Sequence, residues 1–210
     1  MHRLLIVGAG GFGRELCGAA RDCIGYGTDF GIAGFLDARP DALDGFAGYP
    51  PVVGSPDSYE PGPCDAFIAA IGGIAARRRC VSLMEGRGGR FISLVHRTAS
   101  VGPNVRIGEG SFVAQFATVS ADASVGRHTC VFQCAVVGHD ASVGDFAHVY
   151  AHCAVGGGAR ICDGAVLYPG AKIAPRRTVG AGAVVGLGAV AILDVKPGET
   201  VFGNPAAPVA

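Results

Sequence analysis

A single frame of six residues runs unbroken through the second half of this chain. Starting at Val95, every sixth residue is aliphatic: Val95, Val101, Ile107, Val113, Val119, Val125, Val131, Val137, Val143, Val149, Val155, Ile161, Leu167, Ile173, Val179 and Val185. Four residues after each one the side chain is almost always small, and Arg177 is the one break. A short fixed period means one structural unit stacked on itself, and a period of six predicts a β-helix. Three hexads to a triangular coil give layers of 18 residues, spaced by the ordinary strand separation of about 4.8 Å. The aliphatic residue points into the prism, and the small one lets the wall turn without crowding. Valine and isoleucine suit such a wall because β-branching stiffens an extended backbone. No helix covers the faces, so the inward residues are the whole core of this part.

Residues 1–93 read differently. Strand signals at Arg3–Gly8, Gly31–Leu36 and Ala66–Ile71 alternate with helix signals running to about Asp22 and from Ile74 to Glu85. Alternation of this kind predicts a parallel α/β sheet. Arg90–Val95 reads as a further strand, and 38–64, rich in Pro, Gly and Asp, as mostly loop. The expected domains are therefore 1–93, 94–196 and a tail, 197–210, packing on the last coil. The chain is 16% charged with a formal net charge of zero and holds no basic block, which argues against nucleic acid. No apolar run approaches the roughly 18–20 residues that span a bilayer. The apolar start, Leu4–Val7, is cut short by glycines and reads as a first strand rather than a signal peptide. Reduced thiols in a cytoplasmic protein are the expected state of the eight cysteines.

Two motifs carry chemistry on their own terms. Gly8-x-Gly10-x-x-Gly13, between a strand and a helix, is a phosphate-cradling signal; the bland alternative is a turn that merely packs strand on helix. His139-Asp140 follows the inward Val137, so His139 falls at a turn, facing out. Imidazole suits proton removal near neutral pH, and an adjacent carboxylate would fix its tautomer; the alternative is an ordinary exposed histidine. His128, His152, Cys130, Cys134 and Cys153 do not form the converging set of three or four ligands that zinc wants, and Cys153 falls on an inward position. No metal is expected.

Taken together, Gly8-Ala9-Gly10-Gly11-Phe12-Gly13, Phe35-Leu36-Asp37, Phe67-Ile68-Ala69-Ala70-Ile71-Gly72, Val95-His96, Val137-Gly138-His139-Asp140 and Gly203-Asn204-Pro205-Ala206 give the chain a resemblance to the hexapeptide-repeat acyltransferases. More narrowly, it resembles the bacterial sugar acetyltransferases with a small Rossmann-like N-terminal domain, whose members N-acetylate nucleotide-linked amino sugars or O-acetylate sialic acids. The resemblance implies an α/β Rossmann-like domain followed by a left-handed parallel β-helix, and a homotrimer with sites in the clefts between prisms. It implies His139 and Asp140 as the catalytic pair, where Asp stands in place of the usual Glu. His148 and Gly157 would bind the cofactor near the thioester of acetyl-CoA, Gly157 through its amide and one layer above His139. Pro169, Gly186 and Leu187 would line the pantetheine and adenine groove. Ala207 replaces a common Lys or Arg, so one CoA phosphate contact would be either missing or supplied elsewhere, by Lys172, Arg176 or Arg177. Gly10, Gly11, Phe12, Asp37 and Gly72 would hold the nucleotide-sugar substrate.

The expected activity is acetyl-CoA-dependent N-acetylation of a nucleotide-linked amino sugar, of the 4-amino-4,6-dideoxy type, feeding cell-surface glycan synthesis in the cytoplasm. The amine attacks the thioester directly, with His139 as general base. O-acetylation of a sugar such as sialic acid and a non-catalytic nucleotide-binding scaffold are the rival readings.

Overall fold

The computed structural model describes residues 1–209; Ala210, the last residue of the expected tail, lies outside them. The chain divides into two compact units, Met1–Leu94 and Val95 onward.

The first unit is built on four parallel strands, β1 (His2–Val7), β2 (Phe30–Leu36), β3 (Val52–Gly54) and β4 (Asp65–Ala69), in the order β3-β2-β1-β4. Helix α1 (Gly11–Ala20) follows β1, and α2 (Ile74–Gly86) follows β4. Leu4, Leu5, Ile6 and Val7 are all completely buried, as a central strand covered on both faces requires. Gly13 packs α1 onto β1: a Cβ there would enter the carbonyl oxygen of Gly8. Because β2 lies on one side of β1 and β4 on the other, the carboxyl ends of β1 and β4 flank a topological switch point, where open α/β sheets bind ligands.

One reading of this unit is refined and another corrected. The 38–64 segment contains β3, whose Val52 pairs with Phe35 at the sheet edge; three residues among prolines and glycines are too few to show a period of two. The expected strand over Arg90–Val95 is instead a single bridge, Phe91 to Phe67, and a two-residue strand, Leu94–Val95. Phe91 is driven inward by packing on Phe67, with ring centroids 5.8 Å apart, and no second pair follows it.

The second unit is a left-handed parallel β-helix. Its short strands fall into three sheets of eight, six and five strands, the eight including two from the tail. Up to Val190–Ala191, each strand pairs with the one 18 residues away: Val119 with Val137, Val125 with Val143, Val131 with Val149. For convenience, the first face carries Cys130–Val131, His148–Val149 and Val166–Leu167; the second, Val136–Val137 and Ala154–Val155; the third, Ser142–Val143 and Arg160–Ile161. The frame aliphatics and the small residues four positions on form one continuous core running from Val113 to Val201. Ser111 and Thr129 occupy small inward positions in this core. Their hydroxyls donate to the carbonyls of Gly126 and Gly144, both at 2.6 Å, so neither buried polar group is wasted. The tail adds a further strand to the first face: Thr200–Phe202 pairs with Val184–Val185, and Ala207–Pro208 folds back antiparallel to it.

A second comb of six accompanies the first. From Val101 to Val185, the residue three positions after each inward aliphatic sits in the left-handed region, among them Asp122, Asp140, Gly158 and Arg176 at φ of 61°, 58°, 67° and 61°. Each marks a prism corner. Glycine, Asn and Asp tolerate this backbone; a long side chain there costs roughly 1–2 kcal/mol.

Candidate active site

The corner between the second and third faces holds the sharpest constellation. Val137 turns inward, Gly138 leaves the wall, and His139 and Asp140 form the corner with both side chains largely exposed. His139 Nδ1 lies 2.7 Å from Asp140 Oδ2. An ionised carboxylate only accepts hydrogen bonds, so this contact places a proton on Nδ1 and leaves Nε2 with its lone pair in the neutral ring.

One layer on, Gly157 covers the ring. A Cβ on Gly157 would lie 2.5 Å from His139 Nε2 and 2.7 Å from Cε1, so only glycine leaves the imidazole where it stands. His139, Asp140, Gly157, Gly158, Pro175 and Arg176 together line a cleft of about 390 Å³. Arg176 is the member that the reading by residue type undervalued: it appeared only as one of three phosphate contacts. The comb of six finds it, since Asp140, Gly158 and Arg176 are successive residues of one corner column. Its Cγ leans down the column, 3.4 Å from where a Cβ of Gly158 would be.

The other cofactor candidates lie elsewhere. His148 is completely buried on the first face, stacked near Phe132 and Tyr150 with centroids 5.9 and 5.4 Å away, and is not part of the His139 cleft. Gly186 and Leu187 line a separate apolar hollow of about 240 Å³ with Tyr168, Val184, Thr200 and Phe202. Gly186 has no room for a side chain, because the ring of Phe202 lies against it. Pro169 is an exposed corner residue whose carbonyl accepts the Gly188 amide at 3.0 Å. Cys153 is core: burial pushes its thiol up to about 11.

In the first unit, Gly10 caps α1 through its backbone alone, with no side-chain cap and no acidic residue in the first turn. The amides of Gly11 and Phe12 therefore open a helix N-terminus suited to an anion. Asp37 is tied to the same loop: its Oδ2 accepts the Ala9 amide at 2.9 Å and its Oδ1 the Arg39 amide at 3.0 Å. Gly72 lies exposed after β4. Beside the glycine loop is a hollow of about 190 Å³ lined by Gly8, Leu36, Asp37, Ala38, Pro56, Asp57, Ile71, Arg79 and Cys80. Asp57 and Arg79 carried no sequence signal, the first being a single charge in a loop and the second the last of three consecutive arginines on α2.

Residues 3–84 match the PglD N-terminal domain family. Among curated proteins no sequence matches the chain. Among solved structures, the acetyltransferase domain of PglB from Neisseria gonorrhoeae FA1090 is 30% identical, covering 100% of both chains with a TM-score of 0.89. A histidine-to-asparagine variant of perosamine N-acetyltransferase from Caulobacter crescentus, solved with CoA and GDP-perosamine, is 27% identical over 100% of this chain and 98% of that one, with a TM-score of 0.89. WeeI from Acinetobacter baumannii AYE is 26% identical over 100% of both chains, with a TM-score of 0.72. The chain belongs to the hexapeptide-repeat sugar acetyltransferases, enzymes that join a Rossmann-like domain to a left-handed β-helix.

Proposed function

We propose that this protein is an acetyl-CoA-dependent N-acetyltransferase whose acceptor is a nucleotide-linked amino sugar of the 4-amino-4,6-dideoxy type. The observation that carries the reading is the corner cleft: an imidazole oriented by a carboxylate at 2.7 Å, its free nitrogen held under a glycine, in a chain alignable end to end with N-acetyltransferases. The Caulobacter relative binds CoA and GDP-perosamine; the same two ligand classes are assigned here to the two units.

The acceptor amine attacks the carbonyl carbon of the thioester. The C–N bond forms, His139 Nε2 takes the amine proton, and Asp140 stabilises the imidazolium through Nδ1. A backbone amide at Gly157 faces the oxyanion. Collapse of the tetrahedral species breaks the C–S bond, and the thiolate of CoA leaves, receiving its proton from His139. The nucleotide is held by the first unit, its pyrophosphate on the glycine loop and the open N-terminus of α1. The hollow at Gly186 and Leu187 takes part of the CoA; His148, expected to meet the thioester, is fully buried beneath that face and reaches the donor only through the side chains packed on it. A homotrimer in the cytoplasm completes the reading, with mass by light scattering as its check. Among the described residues no helix is long and apolar enough to cross a membrane.

The test is free-thiol release from acetyl-CoA with a panel of nucleotide-linked 4-amino sugars. Turnover is expected with at least one, and His139→Ala is expected to lower kcat by about 10²–10⁴-fold, the usual contribution of a general base. Absence of turnover with every amino sugar refutes the reading, and an unchanged rate in His139→Ala removes His139 as the base.

A further inference from the structure

The hollow beside the glycine loop contains a charged edge that the acetyl-transfer chemistry does not use. Asp57, in the loop after β3, and Arg79, on α2, meet across it: Arg79 Nη2 donates to Asp57 Oδ1 at 3.0 Å. Asp57 Oδ2 has no protein partner among the described residues. The loop is held by several hydrogen bonds. Ser55 Oγ accepts the Asp57 amide at 3.2 Å. The Arg87 guanidinium takes the carbonyl oxygens of Pro56, Asp57 and Tyr59 at 3.1, 2.5 and 3.4 Å. Asp37, the other carboxylate in the hollow, is already engaged by the Ala9 and Arg39 amides and serves the loop.

Read across the hollow, this edge presents a donor, then two adjacent acceptor oxygens. Guanidinium has no acceptor and carboxylate no donor, so the pattern cannot be reversed by rotating a group. Its complement is an acceptor followed by two donors. Among nucleobases only guanine offers that sequence, with O6, N1–H and the exocyclic N2 amine side by side. Uracil and thymine would set a second carbonyl against Asp57 Oδ2. Adenine and cytosine would set a ring-nitrogen lone pair against a carboxylate oxygen. Asp57 and Arg79 are both solvent-accessible, with side-chain exposures of 49% and 73%, so the edge is open to a ligand.

We infer that Asp57 and Arg79 read the base of the acceptor nucleotide, and that the acceptor is a guanosine diphosphate sugar. This rests on the nucleotide-linked acceptor proposed above. Arg79 donates to O6, Asp57 accepts from N1–H and N2–H, and the pyrophosphate runs back to the glycine loop.

Calorimetric titration of the full chain with GDP, IDP, UDP, dTDP and ADP tests this without any substitution. A bidentate base contact is worth about 1–3 kcal/mol of discrimination, which is about 5–150-fold. GDP is therefore expected to bind at least fivefold more tightly than IDP, which differs only by the missing N2 amine, and than UDP, dTDP and ADP. Asp57→Asn, at a surface position that leaves folding intact by circular dichroism, is expected to bring GDP and IDP within twofold of each other. Arg79→Met is expected to weaken both equally. Equal binding of GDP and IDP by the parent chain overturns the inference and leaves the pair a tie between loop and helix. Tighter binding of UDP or dTDP overturns the guanine assignment while leaving a nucleotide-linked acceptor in place. Absence of binding by every diphosphate, with turnover of a free amino sugar, overturns the acceptor class itself.

Discussion

Gly157→Ala separates catalysis from stability at this site. The added Cβ would lie 2.5 Å from His139 Nε2, 2.7 Å from Cε1 and 3.1 Å from Cδ2. Ordinary carbon–nitrogen contact is about 3.5 Å, so the ring must retreat by about 1 Å. Every crowded atom belongs to one exposed side chain, and the backbone of Gly157 lies outside the left-handed region. The nearest atoms can give way, and a compatible Gly→Ala exchange stabilises by about 0.4–1 kcal/mol through the unfolded chain. The melting temperature is thus expected to hold or rise slightly. Catalysis should not hold: a 1 Å misplacement of a reacting group costs about 10²-fold, and the retreat also strains the 2.7 Å contact to Asp140. Steady-state thiol release should therefore show kcat reduced about a hundredfold, with melting unchanged. Gly156→Ala is the opposite control, since its Cβ would strike the Pro175 backbone nitrogen at 2.6 Å and force two coils apart. A Gly157→Ala enzyme within threefold of the parent kcat would refute the stacking of Gly157 on a working His139.

Arg176→Gly relieves a left-handed arginine at φ 61°. The relief of about 1–2 kcal/mol, less about 0.4–1 kcal/mol lost to a freer unfolded chain, predicts a net gain of about 1 kcal/mol in urea unfolding. If Arg176 meets a CoA phosphate, KM for acetyl-CoA rises in the same variant; stabilisation with an unchanged KM assigns it no ligand. Alkylation by iodoacetamide at pH 8, read by mass spectrometry, should modify exposed Cys64 first. Cys153, raised to about 11 by burial, and Cys17, raised for the same reason, should resist, because a raised thiol pKa means less of the reactive thiolate at a given pH. Labelling of Cys153 as fast as Cys64 in the folded chain would contradict its place in the core.

What could be read in advance divides along physical lines. The β-helix was legible because its core is a linear code: each layer rests on the next, so the inward residue recurs at a fixed interval and 18-residue arithmetic places Gly157 over His139. The same arithmetic held a second message that side-chain chemistry concealed. Asp140, Gly158 and Arg176, spaced by 18, share one corner column, and all three occupy left-handed backbone, a property of conformation, which residue type reports only where glycine or Asn/Asp happens to stand. The first unit has no such ruler. Its strand β3 is three residues long and visible only through its pairing with β2. Asp57 and Arg79 are 22 residues apart, brought together by the crossover from β3 to β4 and on into α2. An edge of this kind depends on tertiary closure rather than repetition. Sequence therefore locates the proposed acyl-transfer site of this chain more readily than the proposed acceptor contacts: the first would sit on a periodic wall, and the second on loops whose partners only the fold assembles.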